Sequence, residues 1–256
     1  MLTYPTGGVE TWSDIISSTS ASTRARASER STRSCVSPQS SSAVMFIEII
    51  PARHSTAIFT TWGSHDIINN FAGEDLDNTG PFVNASSAYL TFLGNANPDP
   101  VDSDVHYYNF RYGDNAFFVL DTRRHRTEAK IDVEQQNSTT ATAGGDGLYT
   151  YKPRTMLGDK QLTALYSWLG TVNSTTTFKF IVSSVPFTTL WKGSSSAMDG
   201  WAAYPEERSA LLDVLEYVPN VIVISGDRYE FAVVELRGKI IEISGVSSIF
   251  CFEQGD

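Results

Sequence analysis

Three stretches of this chain place polar, reactive side chains directly after apolar runs. Val221-Ile222-Val223-Ile224 empties into Ser225-Gly226-Asp227-Arg228-Tyr229-Glu230. Ala57-Ile58-Phe59-Thr60-Thr61-Trp62 hands over to Gly63-Ser64-His65-Asp66. Ala116-Phe117-Phe118-Val119-Leu120 ends at Asp121 and the basic cluster Arg123, Arg124, His125 and Arg126. An apolar strand that runs into such a turn delivers a carboxylate, imidazole or guanidinium to the carboxyl end of a sheet, where ligand sites gather in open α/β sheets. Arginines beside a strand end in an acidic protein are a natural anion anchor. Each group also has a plainer reading. His65-Asp66 caps the following turn, Asp227 satisfies backbone donors in its own turn, and Arg123 to Arg126 with His125 form a solvated loop. Trp191 and Trp201 read as packing or, for one of them, as lining the pocket mouth, and His54 and His106 carry no functional pattern.

The elements that must position these groups are short. Val44 to Ile50 and Ala57 to Trp62 read as strands. Residues 67–115 are rich in Asn, Asp, Gly and Pro and read as loop, with a short helix over Ser86 to Leu93. The run Ala116 to Leu120 is continuously apolar, which predicts a strand buried on both faces. Lys130 to Leu148 reads as a surface excursion around Gly144-Gly145-Asp146-Gly147. Asp159 is placed to cap a helix that runs to about Val172, with Leu162, Leu165, Trp168, Leu169 and Val172 on its core side. Phe178 to Ser184 is the next strand. Pro205 opens a helix with Glu206 and Glu207 at its positive end and Leu211, Leu212, Leu215 and Val218 as its buried stripe. Val221 to Ile224, Ala232 to Leu236 and Lys239 to Ile243 are strands, the last two joined around Arg237-Gly238. Strands alternating with helices and closing in a hairpin predict an α/β layered domain with a mixed sheet. The Ser-, Thr-, Ala- and Arg-rich segment 1–44 has too little apolar surface to offset its ordering entropy and reads as a disordered arm. Residues 45–256 then form the folded domain.

Composition narrows the function. The 256 residues carry a net charge of -10, which excludes a nucleic-acid backbone as partner. Any phosphate held here needs a metal or local arginines. No run approaches a membrane-spanning length, so no membrane partner is expected. Cys35 and Cys251 define no disulfide framework. The sequons at Asn84, Asn137 and Asn173 lean towards secretion, whereas Met1 to Glu10 has neither the charged nor the apolar region of a signal peptide.

Taken in order, several pieces resemble the PhoD-like alkaline phosphatases, a branch of the metallophosphoesterases, and in particular their fungal type. Trp62-Gly63-Ser64-His65-Asp66-Ile67-Ile68-Asn69-Asn70-Phe71-Ala72-Gly73 is similar to the family's Trp-Asp-Asp-His-Asp segment. Leu120-Asp121-Thr122-Arg123-Arg124-His125-Arg126 is similar to its Asp-x-Arg-x-x-Arg segment. Leu157-Gly158-Asp159-Lys160-Gln161 and Trp168-Leu169 follow its Leu-Gly-x-x-Gln helix. Val182 to Phe187, Asp199-Gly200-Trp201, Glu207-Arg208 and Ser225-Gly226-Asp227 then appear in family order. The resemblance spans roughly residues 58–250. It implies a metallophosphoesterase-type two-sheet α/β sandwich with flanking helices and metal-assisted hydrolysis of phosphate mono- or diesters. By the same resemblance His65 is the proton-donating histidine and Asp227 the metal-binding aspartate of the Gly-Asp-x-His turn. Arg123 and Arg126 lie on the phosphate side, and Asp66, Asn69 and Tyr229 complete the possible metal ligands. Iron, calcium or zinc would be the metals, and a small phosphate ester the substrate.

The chain departs from the family pattern at several points. Gly63 and Ser64 stand where the family has two aspartates, and Tyr229 where it has a histidine. No aspartate occurs between Asp14 and Asp66 to match the family's first metal carboxylates, so the resemblance leads to the expectation that the N-terminal part of the family's domain is missing. A two-metal centre asks for about six ligands per hard cation. The departures imply impaired activity, with a metal-depleted, non-catalytic relative that binds a phosphate-bearing ligand as the alternative.

Overall fold

The structure is a computed structural model that describes residues 45–50, 57–63, 66–68, 70–74, 80–128, 139–143, 149–190, 198–227, 231–245 and 249–253. The chain divides into two units, Met1–Ser40 and Ser41–Asp256, and all described residues fall in the second. The expected arm over 1–44, the turn at 144–147, His65, Asn69 and Tyr229 lie outside the described residues.

The strands are β1 Met45–Ile50, β2 Ala57–Thr61, β3 Tyr108–Tyr112, β4 Asn115–Val119, β5 Thr139–Ala143, β6 Tyr149–Pro153, β7 Phe178–Ser183, β8 Val221–Ser225, β9 Ala232–Leu236, β10 Ile240–Ser244 and β11 Ile249–Glu253. The helices are α1 Gly80–Phe92, α2 Gly158–Val172 and α3 Pro205–Leu215. A six-stranded sheet runs in the order β3-β4-β7-β8-β10-β9. Its inner strands β4, β7, β8 and β10 are mutually parallel, while β3 and β9 flank them antiparallel. A second sheet has the order β11-β1-β2, and β5 pairs with β6 alone.

Alternation along the parallel strands explains why they read as unbroken apolar runs. Phe118, Ile181 and Val223 lie in register on one face. They pack with Leu165, Trp168, Leu169 and Val172 of α2 and with Leu211, Leu212 and Leu215 of α3. The rows Phe117, Phe180, Ile222 and Val119, Val182, Ile224 fill the opposite face. There Phe59 of β2 stacks on Phe110 at 4.1 Å, Phe110 on Phe117 at 4.7 Å and Phe117 on Phe180 at 4.7 Å. The Tyr108 hydroxyl donates to Thr60 O at 2.9 Å and Thr61 Oγ1 donates to Leu120 O at 2.9 Å, which seats β2 on this face. Each such side chain contributes about 1.5–3 kcal/mol by leaving water. The expected two-sheet α/β sandwich with helices outside is the architecture found.

Several elements differ from the sequence reading. Strand β3 lies in the stretch read as loop, because a flanking strand with only Tyr108 fully buried lacks a continuous apolar run. Strand β5 lies within the expected excursion and β6 follows directly after it; their Thr, Ala and Tyr residues pair with each other and form no apolar run. Strand β11 pairs in parallel with β1, a pairing no local pattern signals. Helix α1 starts at Gly80 rather than Ser86. Asp159 is not a cap, since it already sits in the first turn of α2 and Leu157 occupies the cap position without a side-chain bond. The free amides there are met instead by Thr155 Oγ1, which accepts from Gly158 N at 2.7 Å, and by the Glu207 carboxylate, which accepts from Met156 N and Leu157 N. Burial raises the Glu207 carboxyl above its ordinary value despite these donors. Among the described residues no helix is long and apolar enough to cross a membrane.

Candidate active site at the carboxyl ends of the parallel strands

Because β4, β7, β8 and β10 are parallel, their carboxyl ends open on one edge, and the chain leaves them at Leu120-Asp121, Ser184-Val185, Gly226-Asp227 and Gly245. Short polar bonds tie these exits together. Thr122 Oγ1 and Ser184 Oγ share a hydrogen bond, and Gly245 N donates to Ser225 O at 3.1 Å. Buried Glu242 of β10 accepts from Ser225 Oγ, Phe187 N and Thr188 N, each at 2.7 Å. Its carboxyl is raised by burial.

Asp121 organises the exit from β4. Its Oδ1 accepts from Trp62 Nε1 at 3.0 Å, Arg123 N at 2.9 Å and Arg124 N at 3.0 Å. One carboxylate oxygen thus closes its own turn and fixes the end of β2. The other, Oδ2, is buried with no hydrogen-bond partner among the described residues. The Asp121 backbone is held by Gln161 of α2. Asp121 N donates to Gln161 Oε1, and Gln161 Nε2 donates back to Asp121 O, both at 2.8 Å. Neither Asp121 nor Gln161 was a site candidate by sequence. The available signal for Gln161 was a polar residue on the buried side of an amphipathic helix.

The turn so held points Arg123 and Arg126 inward. Arg123 Nη1 and Nη2 grip Asp199 Oδ1 and Oδ2 at 2.5 and 2.9 Å. Arg123 Nη2 also lies 3.9 Å from Asp227 Oδ2. Arg126 Nη2 reaches Asp199 Oδ1 at 3.0 Å and Asn70 O at 3.2 Å, and its Nη1 donates to Asp199 O at 3.1 Å. Burial alone would raise the Asp199 carboxyl, but the hydrogen bond and charge of Arg123, with the charge of Arg126, outweigh it and hold it well below the ordinary carboxylate range. Burial, then the neighbouring Arg123 charge, lowers Arg126. Two positions along the chain from Asp199, Trp201 stacks on Phe187 at 4.2 Å and donates from Nε1 to Ser183 Oγ at 3.2 Å. Trp201 is fully buried, as packing predicts.

The loop after β2 lies against this turn. Gly73 N donates to Arg123 O and Glu74 N to Arg126 O, both at 3.0 Å. A Cβ at Gly73 would meet Arg124 O at 2.1 Å, so only glycine allows the approach. Asp66 Oδ2 accepts from Gly63 N at 2.8 Å within the same loop. Asp227 has φ +66, a left-handed conformation that aspartate tolerates after a strand. Of the sequence candidates, the structure therefore brings Arg123, Arg126 and Asp227 into one network with Asp199 and the Asn70 carbonyl. Asp66 closes its own turn, and His65, Asn69 and Tyr229 lie outside the described residues. His125 is neither wholly solvated nor fully buried and packs edge-on to Tyr107 at 6.1 Å.

The described donors do not fit a two-metal centre. Among the described residues no three His, Cys, Asp or Glu side chains converge on a point that could hold a cation. Asp199 gives both oxygens to guanidinium groups, and Asp227 faces one of them. A carboxylate already neutralised by a buried arginine is a weak ligand for a hard cation.

The family described as PhoD-like phosphatase matches residues 48–252. Among solved structures, a dimetal phosphatase from Danio rerio is similar at 16% identity and a TM-score of 0.43, covering 73% of this chain and 60% of its own. GAP50, the anchor in the inner membrane complex of Plasmodium, is similar at 20% identity and a TM-score of 0.35, covering 64% and 45%. The chain thus spans less than two thirds of either. No curated protein matches it. With its own segments in order and the family match running over most of its length, the chain belongs to the PhoD-like phosphatase family.

Proposed function

We propose that this chain hydrolyses phosphate mono- or diesters at the edge where the parallel strands end. Membership in the family supports phosphoester hydrolysis in general. The observation that carries the assignment to this edge is the meeting of the family-like segments. The loop after β2 touches Arg126, the turn after β4 supplies both arginines, Asp199 joins them, and Asp227 arrives from β8. In this reading His65 gives a proton to the leaving oxygen. Arg123 and Arg126 shape the phosphate side of the site through the groups they hold, and Asp227, Asp66, Asn69 and Tyr229 are the chain's own oxygen donors for a cation. A small phosphate ester is the substrate. The test is the metal content of the purified chain together with turnover of an aryl phosphodiester in added iron, calcium or zinc. Turnover at a rate that scales with bound metal supports the reading, and a metal-free chain without turnover defeats it.

One observation favours a second reading. Asp199 and Asp227 are engaged by arginine, and no three metal-ligating side chains converge among the described residues. A relative that keeps the fold and binds a phosphate-bearing ligand without hydrolysing it fits that arrangement. A phosphate-dependent rise in thermal midpoint without turnover identifies this case.

A further inference from the structure

Asp199 holds no role in the reading above, yet its carboxylate joins the two arginines of the site. Its side chain is 6% exposed, against 0% for Arg123 and 2% for Arg126. Both terminal nitrogens of Arg123 are bound to it, and the two nitrogens of Arg126 are shared between it and the Asn70 carbonyl. A bidentate fork of this kind fixes the guanidinium plane as well as its charge. From that fixed pair two connections run outwards. Arg123 Nη2 stands 3.9 Å from Asp227 Oδ2. Arg126 holds the Asn70 carbonyl, and the carbonyls of Arg123 and Arg126 receive the amides of Gly73 and Glu74.

We infer that Asp199 is a positioning residue. Through Arg123 it sets the carboxylate of Asp227, and through Arg126 it sets the loop at residues 70–74. The two arginines, being buried on a carboxylate of the chain itself, act on the site through this brace rather than by touching substrate. Removing one partner of such a cluster leaves a buried charge uncompensated, so the response is concentrated on the groups the cluster holds. The kinetic part of the inference rests on the proposed phosphoesterase activity, while the structural part does not.

The test uses the full chain with Asp199→Asn, which keeps shape and one acceptor oxygen and removes the charge. Amide hydrogen exchange at Gly73, Glu74 and Asp227 is expected to quicken by at least about tenfold more than at Ile181 and Val223 of the central strands. With an aryl phosphodiester, kcat is expected to fall at least about tenfold while KM stays within about threefold. Equal acceleration at loop and core overturns the inference, because Asp199 would then only support global stability. A raised KM with unchanged kcat overturns it too, because the arginines would then contact substrate. If Asp199→Asn does not fold, Arg126→Lys takes its place: it keeps the charge, loses the fork, and should quicken exchange at 70–74 without doing so in the core. A wild-type chain without turnover defeats the phosphoesterase reading alone, and the exchange pattern still decides the role of Asp199.

Discussion

Replacing Gln161 by methionine isolates one polar contact on which the candidate site depends. Methionine fills nearly the same volume, so no cavity term enters, but it offers no hydrogen bonds. Asp121 N and Asp121 O would each lose a 2.8 Å bond in a fully buried setting. The Leu157 carbonyl would lose a weaker one at 3.2 Å within the helix. A buried backbone group left without a partner costs about 1–3 kcal/mol, so the two Asp121 groups together cost about 2–6 kcal/mol. That is a large share of a domain stability of about 5–15 kcal/mol. Urea unfolding followed by tryptophan fluorescence reads it. With a slope of about 2–3 kcal/mol per molar, a cost near 4 kcal/mol moves the midpoint down by about 1.3–2 M. Gln161→Glu should recover part of the loss by keeping the acceptor for Asp121 N, but it brings a charge into a buried position and loses the donor for Asp121 O. A Gln161→Met midpoint within about 0.3 M of wild type, at unchanged slope, would refute the reasoning. Asp121 would then be held by its side-chain bonds alone.

Gly73→Ala should destabilise by about 3 kcal/mol or more, because the new methyl group would sit 2.1 Å from Arg124 O, a backbone atom that cannot move aside cheaply; thermal unfolding checks it. Glu207→Ala strips the acceptor from the amides of Met156 and Leu157 and should cost about 1–3 kcal/mol, seen as a lower urea midpoint with early exchange at the start of α2. The Asp199 carboxyl is held below its ordinary value, so its contribution is present above about pH 4 and is lost as pH falls through the lower folded value. The stability gap between wild type and Asp199→Asn should therefore shrink on acidification below about pH 4, and a gap constant down to pH 2 would contradict the ion pairing. Glu207 and Glu242, both raised by burial, change stability in the opposite sense and at higher pH, gaining as pH falls from their raised values to about pH 4.3, so the difference between the two proteins below about pH 4 isolates Asp199.

Much of the scaffold was legible in the chain because its causes are local. Apolar runs such as Ala116 to Leu120 and Val221 to Ile224 became parallel strands buried on both faces, and the Leu165, Trp168, Leu169 stripe became the inner side of α2. The turns that leave those strands were visible too, since Gly226-Asp227 and Asp121 to Arg126 are sequence-adjacent signals. Strands β3, β5, β6 and β11 were not, because one-sided or polar strands have no strong period and take their identity from the neighbour they pair with.

By itself the sequence determined the α/β layering, the places where the chain leaves the sheet, and the reactive groups that stand there. Only the tertiary structure decided what those groups face. Arg123 meets Asp199 across 76 positions, Asp121 is clamped by Gln161 across 40, and Glu207 reaches the start of α2 across 51. No local pattern encodes such partners. They are selected because a charge or backbone amide carried into the interior must find its complement there, and the complement is whichever side chain the packed layers bring within reach.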